Sequence, residues 1–247
     1  MSEFKEFPKI ARLNRDIVIT EKLDGTNAAI IIEEEKVYDE TSTFEIKLVV
    51  SAQSRNRIIT PGKGTDNFGF AAWVEANADA LKELGPGHHY GEWYGAGIQR
   101  TYALTEKRFA LFNVLRWQED EQQSLVFKSV QALVPNLELV PLLYRGPRMQ
   151  GTAIRPTFTM PDGHEVVPYA PFIDMPDWII AMMKQGRIKN LAVPGYDKPE
   201  GIVVFHTASR QLYKVTCEKD EAHKGATPGM HTKKEEHEAP ITGVEAV

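Results

Sequence analysis

Glu21-Lys22-Leu23-Asp24-Gly25-Thr26-Asn27 lies between the apolar run Ile17-Val18-Ile19 and a second apolar run, Ala28 to Ile32. Asp-Gly between two such runs is a hairpin signal, so the segment predicts two strands joined by a tight turn, with Lys22 at the end of the first. A lysine held there, between Glu21 and Asp24, is placed to attack phosphorus if its ammonium loses a proton. The same residues also suit a surface hairpin with a solvated lysine.

Outward from this point the chain alternates elements. Strands are expected at 17–21, 28–33, 45–51, 88–93, 108–114, 200–206 and 211–217. A helix is expected over 68–84, where Phe70, Trp73, Val74, Ala78, Leu81 and Leu84 recur at helical spacing until Gly85-Pro86 stops it. A second is expected near 125–134, and a third from Pro176 to about Arg187, where Met182 and Met183 read as core filler. Residues 136–172, rich in Pro and Gly, read as extended strands and turns. The pattern predicts an α+β fold built on packed, mainly antiparallel sheets with flanking helices.

Lys22-x-Asp24-Gly25 resembles the nucleotidyl-acceptor motif of the covalent nucleotidyltransferases, which include DNA ligases, RNA ligases and capping enzymes. Thr26-Asn27, with Glu21 in front, is most similar to the bacteriophage RNA ligase 2 type; DNA ligases and capping enzymes usually carry an arginine there. Further resemblances follow in the family's order: Ser54-Arg55 after a strand, Gly91-Glu92-Trp93-Tyr94-Gly95 continued by Gly97-Ile98-Gln99, Phe112-Asn113, Glu200-Gly201-Ile202-Val203, and Lys214 in Leu212-Tyr213-Lys214-Val215-Thr216. Asn113 stands where the family usually has Asp, and Thr216 where it has a second lysine. The resemblance implies a nucleotidyltransferase domain over 1–217, followed by a polar tail over 218–247.

It also implies an ATP-dependent RNA ligase. In the reaction the resemblance implies, Lys22 is expected to take AMP from ATP and pass it to an RNA 5′-phosphate, from which an RNA 3′-hydroxyl displaces AMP. The expected substrate is RNA with nicked or broken ends. Lys22, Lys214 and Glu200 are the implied catalytic residues; Glu21, Asn27, Arg55, Glu92, Phe112 and Lys214 are implied to bind the nucleotide. Glu200, with Asn27 through water, is the implied site for magnesium or manganese. A small DNA ligase, a capping-type enzyme, or a nucleotide-binding module without turnover are the alternatives. With no further domain after 217, a partner protein could supply nucleic-acid contacts.

Chemistry constrains these roles independently. A lysine with an ordinary pKa of ~10.4 is neutral only about once in two thousand at pH 7. Neighbouring cations such as Lys214 and Arg55, a metal, or desolvation would favour the free amine, whereas an unscreened Glu21 or Glu200 would oppose it. The carboxylates are therefore expected on metal or ribose rather than on Lys22. Magnesium takes hard oxygen donors and few protein carboxylates. Phe112 offers a face for a purine, although an aromatic in Phe109-Ala110-Leu111-Phe112 equally suits a core. Glu21 and Glu92 equally suit solvated strand ends.

Composition bounds the rest. With 42% hydrophobic and 26% charged residues, the 247-residue chain can build a sizeable core. No apolar run approaches the roughly 20 residues of a membrane span, and the N-terminus lacks a secretory pattern, so a cytoplasmic protein is expected. The lone Cys217 excludes an internal disulfide. A net charge of -5 argues against a broadly basic face, leaving Arg100, Lys107, Arg108, Arg145, Arg148, Arg155, Lys184, Arg187 and Lys189 either as a local track or as scattered charge. Gly62-Lys63-Gly64-Thr65 lacks the spacing of a phosphate loop. His88, His89 and Glu92, or His231, Glu235 and His237, lack a zinc spacing.

Overall fold

A computed structural model describes residues 4–38, 40, 43–151, 158–159, 165–166 and 172–218. The expectations for Arg155, Pro156, Pro161, Pro168, Pro171, His231, Glu235, His237 and the tail from 219 onward lie outside the described residues. In chain order the strands are β1 Asp16–Lys22, β2 Thr26–Tyr38, β3 Phe44–Ser54, β4 Ile58–Ile59, β5 Gly87–Gly95, β6 Lys107–Leu111, β7 Leu137–Leu139, β8 Leu142–Pro147, β9 Met149–Gly151, β10 Phe158–Thr159, β11 Glu165–Val166, β12 Phe172–Asp174, β13 Gly201–His206 and β14 Gln211–Thr216. The helices are α1 Phe70–Ala76, α2 Ala78–Leu81, α3 Val114–Glu119, α4 Glu121–Leu133 and α5 Met175–Lys184.

Two sheets carry the architecture. One has the order β4-β3-β2-β5-β6-β7, the other β14-β13-β1-β8. Every pairing in them is antiparallel except β6 with β7, so the expected α+β class is the one observed. The first sheet buries Ile30, Ile32, Trp93, Phe109 and Leu111 against Phe70 and Val74 of α1 and Phe127 and Val130 of α4. The second buries Ile17, Ile19, Ile202 and Val204 against Ile179, Ile180 and Met183 of α5, as the core reading of Met183 requires. Between the sheets, Val18 and Leu23 meet Tyr94 and Ala110.

The Asp24-Gly25 turn does not make a hairpin. Both edges of β1 are taken, by β13 and β8, while β2 pairs with β3 and β5, so the turn carries the chain from one sheet to the other. Gly25 is there for closeness rather than for a left-handed turn. A Cβ on it would lie 2.4 Å from the Trp93 carbonyl oxygen and 2.7 Å from Tyr94 Cβ. Gly25→Ala is accordingly expected to cost about 1–3 kcal/mol by overpacking, measured by chemical denaturation; an unchanged midpoint would mean that the crossover has room to relax.

Local chemistry explains the other departures. The expected 68–84 helix is cut at Asn77, whose side-chain amide donates to the Trp73 carbonyl (2.7 Å) and whose own φ of -114° is not helical; a 3-10 turn, Lys82–Leu84, ends the segment. The strand expected to reach 114 ends at Leu111, because Asn113 caps α3 by accepting from Arg116 N (3.2 Å). Likewise Asp120 accepts from Gln123 N (2.9 Å) and starts α4. Among the described residues no helix is long and apolar enough to cross a membrane.

Candidate active site

Lys22 ends β1 opposite Gly201, the first residue of β13. That register sets Glu200 beside it, and Lys22 Nζ donates to Glu200 Oε1 at 2.5 Å, with side chains only 21% and 15% exposed. The expectation that the carboxylates would stay off Lys22 is thus overturned for Glu200, by strand register. Glu200 is itself held by its backbone, whose carbonyl accepts from Cys217 N at 2.8 Å. A Cβ on Gly201 would come within 2.2 Å of the Val215 carbonyl, so β14 lies tightly against this end of β13.

The facing sheet supplies the other groups. Asn27 of β2 is paired with Glu92 of β5, so their side chains share a face, and Glu92 Oε1 accepts from Gly25 N at 3.0 Å. Burial raises the Glu92 carboxyl to about 7; Lys22 and the Gly25 N–H pull it down, while Glu200 and Asp24 push it up. Burial also raises Glu200. Lys22 is thus bonded to Glu200 on its own sheet and lies within electrostatic reach of Glu92 on the other. One oxygen, Glu200 Oε2, is buried with no hydrogen-bond partner among the described residues. An orphaned carboxylate oxygen fits one hydrated magnesium ion, which needs few protein ligands. Among the described residues no group of three or more His, Cys, Asp or Glu side chains forms a richer metal cluster.

Phe112 is 36% exposed, so the core reading fails for it. Its N–H donates to the Tyr90 carbonyl (2.9 Å), and Gly91 is paired with Leu111, which sets Phe112 opposite Tyr90, two residues along β5 from Glu92. Lys214 of β14 shares the register line Thr20, Val203, Lys214 and is exposed; it is two strand spacings from β1, roughly 10 Å, on the sheet face that carries Lys22. Arg55 is exposed one residue past Ser54, which pairs with Ala28. Glu21 is not gathered with these groups. Strand alternation turns it from Lys22, and at 1% exposure its Oε2 accepts from Leu191 N (2.9 Å) and Ala192 N (3.1 Å), leaving Oε1 buried and without a partner among the described residues. Burial raises its pKa.

Arg100 and Tyr102 were not singled out from the sequence for the part they take here. Arg100 Nε donates to Asp24 Oδ2 at 3.0 Å and its Nη1 to the Lys198 carbonyl, while Asp24 N donates to the Tyr102 hydroxyl at 2.7 Å. Together they grip the turn that follows Lys22. Gln99, Thr101, Tyr102 and Ala103 all have positive φ, a run that costs about 1–3 kcal/mol per residue and that these contacts hold in place. The sequence signal was adjacent, in Gly97-Ile98-Gln99.

Of the cations that read either as a local track or as scattered charge, five are ion-paired: Arg100, Arg108, Arg145, Arg148 and Lys189. Each of these pairs with its own acid: Asp24, Glu106, Glu119, Asp174 and Asp197 respectively. His88 stacks with Tyr90, while His89 is buried beside Trp117 and bonds the Gly85 carbonyl.

The ionisation of Glu92 has a stability consequence. A carboxyl raised to about 7 binds a proton that the unfolded chain has released, so stability falls as pH rises from about 4.5 to 7 and then levels. Glu92→Gln keeps an acceptor for Gly25 N and removes the charge. Its stability relative to the parent is expected to improve from pH 5 to pH 8 by as much as about 3 kcal/mol, read from urea midpoints; a constant difference would mean that Glu92 titrates normally.

A family model described as RNA ligase matches residues 15–216. No curated protein sequence matches. Among solved structures, the chain is similar to a Naegleria gruberi RNA ligase variant with ATP and Mn at 17% identity and a TM-score of 0.48, covering 83% of this chain and 50% of that one. A second such variant, also with ATP and Mn, gives 16% and 0.48, covering 85% and 52%, and an apo variant of the same ligase gives 18% and 0.47, covering 82% and 49%. The chain spans about half the length of these structures.

Proposed function

The chain belongs to the RNA ligase family, and from that premise we propose that it is an ATP-dependent RNA ligase of the bacteriophage RNA ligase 2 type, in which Lys22 carries AMP. The observation that carries this reading is the bond of Lys22 to Glu200 on one sheet within electrostatic reach of Glu92, the register partner of Asn27, on the other. In this reading residues 1–217 form the nucleotidyltransferase domain and 218–247 a polar tail.

Each group has work to do. Lys22 Nζ attacks the α-phosphorus of ATP; the new N–P bond replaces the bond to pyrophosphate, and the amine gives up its proton. Glu200 Oε1 aims the amine. Glu92 accepts from ribose hydroxyls and Phe112 stacks on the adenine, while Glu21, buried on the opposite face of β1, takes no part in holding the nucleotide. Lys214 and Arg55 neutralise phosphate oxygens, Arg55 with a planar fork. Glu200 Oε2, with Asn27 reached through water, would hold magnesium or manganese, whose charge offsets the carboxylate and the phosphates. AMP then passes to an RNA 5′-phosphate, and an RNA 3′-hydroxyl displaces it to close the strand.

The test uses the full chain with ATP labelled at the α-phosphate, then nicked RNA duplex, nicked DNA duplex and single strands. Expected are a denaturation-resistant label that pyrophosphate removes, and sealing of nicked RNA. Label from GTP instead would favour a capping-type enzyme, and sealing confined to DNA a small DNA ligase.

A further inference from the structure

The face of β5 opposite Glu92 carries a concavity that the proposed chemistry leaves unused. Its volume is about 510 Å³, within the range of small-molecule sites, and Phe68, Trp73, Trp93, Thr105, Lys107 and Asn136 are among its walls. Trp73 and Trp93 sit with ring centroids 5.4 Å apart, and both indole N–H groups are satisfied internally, on Pro135 O (3.1 Å) and Phe68 O (3.2 Å). Trp93 is buried, so it is the partly exposed Trp73, beside Phe68, that offers a ligand aromatic surface.

Phe68 is the telling residue. It is 50% exposed and adopts φ of +52°, an unfavourable backbone that keeps its ring out of the nearby core. Lys107 Nζ donates to the Phe68 carbonyl at 2.8 Å, which pins this arrangement and still leaves the ammonium two hydrogens. The exposed Asn136, also at positive φ (+63°), adds an amide at the rim. The neighbouring carboxylate Glu106 is matched by Arg108 at 2.5 Å and does not oppose an anion.

Aromatic faces, one ammonium and one amide are the groups that bind a nucleotide of a single strand: base on ring, phosphate on cation, base edge on amide. We infer that this cavity is a subsite for a nucleotide of the RNA strand, separate from the ATP site and resting on the RNA ligase reading above. It lies at the same end of the sheet as the proposed chemistry. Trp93 is paired with Thr26, four residues after Lys22, and Asn67 Nδ2 donates to Thr26 Oγ1 at 3.1 Å, tying the Phe68 segment to that point. A strand whose end reaches Lys22 can turn round the sheet end and seat a base here. An apolar peptide would leave the ammonium and the amide without use.

The experiment cross-links the full chain to 5′-phosphorylated single-stranded RNA bearing 5-iodouridine, maps the peptides, and measures RNA affinity for the parent, Phe68→Ala and Lys107→Met. Expected are a cross-link in the peptide with Phe68 and Trp73, a loss of affinity of about fivefold to a hundredfold for Phe68→Ala, and a salt dependence smaller by about 0.7 for Lys107→Met. Lysyl-AMP formation by both variants should match the parent. Cross-links confined to other peptides, or parental RNA affinity in both variants, would overturn the subsite. Absence of lysyl-AMP in the parent would overturn the ligase reading, and the cross-link map reports on the cavity separately.

Discussion

Lys22→Ala is expected to carry no denaturation-resistant label from ATP while melting close to the parent. The side chain ends a strand and is partly in water, so its removal opens no cavity in the apolar cores around Ile17 and Val18. What it does remove is, among the described residues, the only amine bonded to Glu200. Lys22→Arg sharpens the test, because a guanidinium keeps the charge and can still pair with Glu200 yet stays protonated at any working pH. It should fold like the parent and remain unlabelled. Gel autoradiography with peptide mapping decides it. Label on either variant, for instance at Lys214, would move the nucleophile elsewhere and with it the assignment of every surrounding group.

Much of this site was legible because family motifs sit at strand ends, and strand ends are where alternating apolar runs stop. The runs at 17–21, 28–33, 88–93 and 200–206 located Lys22, Asn27, Glu92 and Glu200 to within a residue or two of their places. Partners were not legible. Asp24-Gly25 carries the local signature of a hairpin, but whether two adjacent strands pair depends on which edges remain free, and β8 and β13 come from 120 or more residues downstream to fill those of β1. The Lys22 to Glu200 bond is set by the same long-range register. Asn113 illustrates a different limit: read as a weakened acidic position of the family pattern, it also caps α3, and one residue can answer to both demands. Arg100 and Tyr102 escaped because their task is to hold a backbone turn far away in sequence, which no spacing rule encodes.

Glu200→Ala is expected to reduce labelling of Lys22 by about 100-fold or more, the scale of losing an electrostatic contact made at a charged transition state. Two effects oppose each other here. An adjacent carboxylate favours ammonium over free amine, so if pairing with Lys22 were the whole role of Glu200, its removal would speed labelling. If Oε1 aims the amine while the partnerless Oε2 serves a metal, both are lost together and labelling collapses. Folding should be little disturbed, since the contact to Cys217 uses the Glu200 backbone carbonyl. Glu200→Gln separates the functions: an amide oxygen can still accept from Lys22, but a neutral ligand holds magnesium poorly. Its label should therefore recover in part as magnesium or manganese is raised, a shift that single-turnover rates across a metal titration would reveal. Faster labelling in Glu200→Ala, or an unchanged metal dependence in Glu200→Gln, would assign Glu200 to restraining Lys22 rather than to the reaction.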